Sequence, residues 1–270
     1  MSGHTPDHDR GLAFDLATLN RRRVLTLFGG AGLATLVGCA SGSTEPTAAT
    51  TSGSTSAAAS ASAAACAPEI PDETSGPFPG DGSNGPNVLT ESGIVRDDIR
   101  SSFGGSSGTA QGVPLTITLT VQKDCKAYTG AAVYLWHCDR DGNYSMYSNG
   151  VADQNYLRGV QETDASGEVT FTTIFPAAYS GRWPHAHFEV YPDLAEATKA
   201  GDPVKTTQLA FPKDVCETVY ATNGYSASVR NLASSSLETD NVFSDGHDTQ
   251  LATVTGDATG GYKATLLVSV

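Results

Sequence analysis

Apolar and polar residues alternate from Val113 through Val121, the two-residue period of a strand with one buried face. Further strand candidates lie at 131–137, 168–174, 185–191, 205–211 and 262–270, with Asp-, Gly- and Ser-rich turns at 139–143 and 164–167. Short helices are predicted around 193–200 and 214–220. The pattern predicts a mainly β protein, a β-sandwich with a few short helices. From Ala40 to Ala65 the chain is almost wholly Ser, Thr, Ala and Gly with one charge, Glu45. Such a stretch cannot bury enough apolar surface to offset the entropy of ordering it. Residues 39–67 are therefore expected to be a flexible linker, leaving 68–270 as one folded domain with a sizeable core.

The N-terminus adds an export expectation. Asn20-Arg21-Arg22-Arg23-Val24-Leu25 precedes a short, Gly-containing apolar stretch to Val37, too short and too Gly-rich for a comfortable membrane span. The paired arginines suggest a twin-arginine-type signal over 1–38. Leu36-Val37-Gly38-Cys39 resembles a lipobox, which would place lipid on Cys39 and the protein on the outer face of the cytoplasmic membrane. With Cys39 set aside, Cys66, Cys125, Cys138 and Cys216 remain. Up to two disulfides are then expected, with the pairing open. The formal charge of −13 argues against nucleic acid as a partner.

The candidate chemistry sits in DRDGNYS and FPAAYSGRWPHAHFEV. His185-x-His187 on a strand puts both imidazoles on one face. Tyr144 and Tyr179 add phenolate oxygens, hard donors that suit ferric iron, and iron also accepts imidazole. The set Tyr144, Tyr179, His185, His187 is read as an Fe(III) site. A neighbouring decoy fails: Asp139-x-Asp141-x-Asn143 begins like a calcium loop, but Tyr144 stands where Gly is required and Gly150 where the bidentate Glu should be. That acidic turn is expected to be a connection delivering Tyr144.

The runs WHCDRDGNYS, YLRGVQETDASG and Tyr179…Arg182-x-x-His185-x-His187 resemble the intradiol ring-cleavage dioxygenases, from about Pro68 to the C-terminus. The resemblance implies a non-haem ferric enzyme with a β-sandwich fold, its iron site where loops and strand ends meet. Catechol-type rings would be opened between the two hydroxyl-bearing carbons to muconate-type diacids. It also implies Tyr144, Tyr179, His185 and His187 as iron ligands, Tyr179 being the one that departs. Arg182 would stabilise charge developing on the ring, and Gln208 would hydrogen-bond substrate or dioxygen. Trp136 and His137 are expected to be structural, while Tyr147 and Tyr156 are loop aromatics that could line a pocket mouth. Two departures stand out. Ala177 occupies the place of the family's usual turn glycine before the second Tyr, and Gly76-Pro77-Phe78-Pro79 retains only one of two usual aromatic residues.

The expected partners are a small aromatic diol and dioxygen, a membrane surface reached through lipidated Cys39, and a second copy of the chain in a homodimer. The competing function is a non-catalytic β-sandwich lipoprotein that binds a metal or other ligand.

Overall fold

The computed structural model describes residues 66–270. Nine strands form two sheets: β1 (Pro114–Lys123), β2 (Lys126–Ala127), β3 (Ala132–Trp136), β4 (Arg158–Glu162), β5 (Glu168–Ile174), β6 (His185–Tyr191), β7 (Lys205–Ala210), β8 (Thr253–Asp257) and β9 (Gly261–Ser269). Among the described residues three helices accompany them: α1 (Leu194–Thr198), α2 (Lys213–Tyr220) and α3 (Ser226–Ala233). In the first sheet β1 pairs antiparallel with β5 and parallel with β9, and β9 pairs antiparallel with β8. The second sheet runs β4-β3-β6-β7, antiparallel throughout.

The alternation in β1 buries Leu115, Ile117, Leu119 and Val121. They meet Val133, Leu135, Ala186, Phe188, Val190 and Leu209 of the second sheet in the inter-sheet core. The second sheet is buried on both faces. Its outer side carries Ala132, Tyr134 and Trp136, covered by Phe78, Val88, Leu89 and Ile94 of the N-terminal segment. Because side chains alternate, residues 185, 187, 189 and 191 of β6 take this outer side while 186, 188 and 190 fill the core. The site thus belongs to the covered outer face at the strand ends.

β4, β8 and α3 do not stand out in the sequence pattern. Arg158 is fully buried at the start of β4, so a strand with an inward charge does not look apolar. β8 is a short, mostly exposed edge strand. Ala177, in the place of the family's turn glycine, does not adopt a left-handed backbone, so the side chain brings no strain there.

The partner expectation is corrected, and the open cysteine pairing is narrowed. Of the up to two disulfides expected, one is found among the described residues: Cys66 pairs with Cys125, and Cys138 and Cys216 are free and buried. The expected lipid anchor is not sustained. Cys66 and Cys125 are closed on each other and offer no free thiol to lipid, and Cys138 and Cys216 are out of reach of solvent. Cys39, the lipobox and the signal segment lie outside the described residues. Among the described residues no helix is long and apolar enough to cross a membrane.

The Cys66–Cys125 bridge closes a loop with a sequence separation of 59. Chain-entropy arguments put the stabilisation from a loop of that size at about 4 kcal/mol. Cys66→Ser protein is expected to unfold at lower urea, by roughly 2–4 kcal/mol; an unchanged midpoint would show that the N-terminal segment holds without the bridge.

Candidate metal centre

Strand register assembles the site before any loop is considered. Trp136 pairs with Arg158 on one side and His187 on the other, and His187 pairs with Gln208. One row across β4-β3-β6-β7 therefore reads Arg158, Trp136, His187, Gln208. The Trp136 indole stacks on the His187 ring at 4.9 Å with a 7° tilt, fixing that imidazole's plane. His137, the next residue, turns away and ties β3 to β5: its Nδ1–H donates to the Cys138 carbonyl at 2.7 Å, and its Nε2 accepts from the Thr173 hydroxyl at 2.7 Å. It is structural, as expected.

Two loops bring the phenols. In the first, Asp139 Oδ1 accepts from the Asp141 and Asn143 amides and Oδ2 accepts from the Tyr156 hydroxyl. The acidic turn caps itself and delivers Tyr144, whose amide donates to Ser148 Oγ. Tyr156 serves this turn. Tyr147 closes the outside, donating to Asn84, accepting from the Gly80 amide and packing on Phe78. In the second loop, the Ala177 amide donates to the Asp139 carbonyl. α3 holds the same loop at both sides of Ala178, through Ser228 Oγ and Asn231 Nδ2. Tyr179 follows directly.

The four predicted ligands converge. His185 Nε2 lies 3.1 Å from His187 Nε2, 3.1 Å from Tyr179 Oη and 3.5 Å from Tyr144 Oη. His185 Nδ1 is 2.5 Å from the Trp183 carbonyl, which can only accept, so that nitrogen carries the proton and Nε2 presents a lone pair. Burial, with the Arg182 charge behind it, holds His185 well below the usual imidazole range; burial, then His185, does the same for His187. Burial and the neighbouring Tyr179 push the Tyr144 phenol well above its usual value. Neutral, lone-pair nitrogens beside a Tyr144 phenol that resists ionising need a cation at their centre to become a good ligand set.

The donor set fits ferric iron: two hard oxygens and two imidazole nitrogens. Atoms about 2.0–2.2 Å from a common ion stand roughly 3.0–3.5 Å apart, which is the spacing seen. Among the described residues no group of three or more His, Cys, Asp or Glu could hold a metal, so a centre here depends on the tyrosines.

Arg182 and Gln208 are also placed together. Arg182 Nη2 donates to Gln208 Oε1 at 2.7 Å, and Gln208 Nε2 donates to the Thr74 carbonyl at 2.9 Å. Two important residues escaped the sequence reading. Arg158 lies inside the conspicuous YLRGVQ stretch, where its burial could have been suspected; Asp240 lies in a polar, aperiodic stretch with no signal.

A dioxygenase family model matches residues 84–216, a span containing Tyr144, Tyr179, Arg182, His185, His187 and Gln208. Chlorocatechol 1,2-dioxygenase of Rhodococcus opacus is 34% identical over 80 residues, covering 30% of this chain and 26% of that protein. Both matches are to dioxygenases. This chain spans about a quarter of the length of that curated relative. An intradiol ring-cleavage dioxygenase from Tetranychus urticae has the same fold, with a TM-score of 0.56 and 24% identity over 66% of this chain and 87% of that one.

The buried imidazoles carry a pH consequence. His137, pushed down to about 4 by burial, and both site histidines are neutral when folded. The unfolded chain protonates them near 6.5, so their contribution to stability is present above that pH and lost as pH falls below it. Burial moves the Glu73 carboxyl the other way, to about 8 from its ordinary 4.5, and its contribution is lost as pH rises between those values. Between about 4.5 and 6.5, three imidazoles outweigh one carboxyl. The urea midpoint of iron-free protein is expected to be lower at pH 5 than at pH 7. An equal or higher midpoint at pH 5 would mean the rings are not buried as neutral groups.

Proposed function

We propose that this protein is a non-haem ferric dioxygenase that opens catechol-type rings between the two hydroxyl-bearing carbons. The observation that carries the proposal is the convergence of Tyr144, Tyr179, His185 and His187 around His185 Nε2. The family match supports it. Bound by these four residues, ferric iron supplies a Lewis-acid centre that draws the diol as its dianion and makes the ring reactive toward dioxygen.

The chain's own residues do the rest. Tyr144 is the more enclosed phenol, 1% exposed against 8% for Tyr179, and it is fixed by a self-capped turn. Tyr179, the less enclosed phenol and the one the family resemblance implies as the mobile ligand, would take a proton from the entering diol. His185, locked by the Trp183 carbonyl, and His187, locked under Trp136, would hold their orientation as the diol enters. Arg182 provides a fixed cation whose field reaches both imidazoles and Tyr144, suited to charge developing on the ring. Gln208 presents its amide beside His187 in the same row. Phe78, 5.0 Å from the Tyr144 ring, gives the site an apolar wall that excludes water. Overall, one diol and one dioxygen give one muconate-type diacid, with both oxygen atoms in the product.

The same reading includes export. The paired arginines at 21–23 support it, as does the Cys66–Cys125 disulfide, a bond that persists in oxidising compartments. Residues 68–270 form the catalytic unit in this reading.

Oxygen uptake by iron-loaded protein offered catechol tests the proposal. One dioxygen consumed per catechol, with a ring-opened diacid as product, is expected. No uptake with catechol, chlorinated catechols or benzenetriols would overturn it.

A further inference from the structure

Arg182 does not stand alone in the site. Its guanidinium meets Asp240, 58 residues away, with Nε 3.0 Å from Oδ2 and Nη2 3.4 Å from Oδ1. The pair is fully enclosed, with side-chain exposures of 1% and 0%. Asp240 is saturated by donors: Oδ2 also accepts from the Trp183 amide at 2.7 Å, and Oδ1 accepts from the amides of Val242 and Phe243 at 2.9 and 3.3 Å. The carboxylate is thus held by its own turn and by the amide that follows Arg182.

We infer that Asp240 is the positioning residue of the site, aiming Arg182 and, through it, Gln208; the inference rests on the dioxygenase reading above. A buried guanidinium with one long stem has several rotamers open to it, and bidentate contact with a fixed carboxylate selects one. In that rotamer Nη2 remains turned to Gln208 Oε1 at 2.7 Å, and this contact leaves Gln208 Nε2 to donate to the Thr74 carbonyl. A chain of charge-assisted and neutral hydrogen bonds therefore runs from Asp240 through Arg182 and Gln208 to the strap over the site. Gly76 in that strap sits so close to the His187 ring that a Cβ would meet its Cε1 at 3.1 Å. Asp240 lies beyond residues 84–216.

Asp240→Asn is the informative change, because the amide has nearly the same shape yet must set a donor against donors whichever way it faces. Arg182→Gln and the Arg182→Gln/Asp240→Asn double variant complete a cycle. Two quantities are read: kcat for catechol, and anaerobic catechol affinity from a visible titration. In the wild-type background, D240N is expected to lower kcat about 10–100-fold and to weaken anaerobic binding about tenfold. In the R182Q background the same change is expected to cost less than about twofold in either quantity. A D240N protein equal to wild type overturns the inference, and so does a penalty of the same size in both backgrounds, since that is what a purely structural role produces. If D240N does not fold, R182Q against R182Q/D240N decides: equal values support the inference and a further tenfold fall overturns it. A wild-type protein that binds no catechol sinks the dioxygenase reading itself, whereas normal wild-type binding with an unaffected D240N sinks only the role of Asp240.

Discussion

Replacing His185 with Ala is expected to lower turnover of catechol by about a thousandfold or more, equivalent to roughly 4 kcal/mol of lost transition-state stabilisation, and to strip most of the iron from purified protein. His185 Nε2 lies within 3.5 Å of the other three ligand atoms, and its ring is fixed from behind by the Trp183 carbonyl. Ala leaves two phenols and one imidazole around a hole. The protein should still fold, because the inter-sheet core lies on the opposite face of β6 and contains Ala186, Phe188 and Val190. Metal analysis, far-ultraviolet circular dichroism and oxygen uptake on one preparation check the three parts separately. A folded variant that keeps full iron and full turnover would remove His185 from the centre.

Arg158→Met is expected to cost about 3–5 kcal/mol of stability, a large fraction of what a domain possesses. Arg158 is fully buried, and its five hydrogen bonds go to neutral oxygens. They reach the Phe78 and Pro79 carbonyls, the Tyr134 hydroxyl, and both the hydroxyl and carbonyl of Ser145. Met fills much of the space but satisfies none of these acceptors, and a buried acceptor left without a donor costs about 1–3 kcal/mol. The clamp also joins the strap over the site to the loop next to Tyr144. Urea denaturation measures the loss. A change below about 1 kcal/mol would show that the strap and the loop are held together by other means. Iron content should fall less than in His185→Ala protein, because all four ligands remain.

The parts of the site that follow local periodicity were legible in the sequence. His185 and His187 share a face because β6 alternates, and Tyr144 follows a turn whose Asp139 caps its own amides, a device readable from Asp-Arg-Asp-Gly-Asn. The sandwich itself was legible from strands such as β1, where one face is wholly apolar. The rest depends on long-range contacts that leave no local mark. Asp240 reaches Arg182 across 58 positions from a stretch of Ser, Asn, Asp and Gly that looks like any surface loop. Arg158 is buried where a charge argues against burial, so β4 is disguised. α3 is short and holds the Tyr179 loop through Ser228 and Asn231, residues more typical of helix ends and turns. The disulfide pairing was open among three arrangements, and the structure selects Cys66 with Cys125 while leaving Cys138 and Cys216 as buried thiols.

The central claim is that two tyrosines and two histidines hold ferric iron with room for a diol. A visible absorption spectrum of the iron-loaded protein, taken before and after anaerobic addition of catechol, tests it most directly. The account predicts a broad tyrosinate-to-iron band that shifts to longer wavelength when catechol binds. Protein that contains iron but is colourless, or coloured protein whose band ignores catechol, would contradict it.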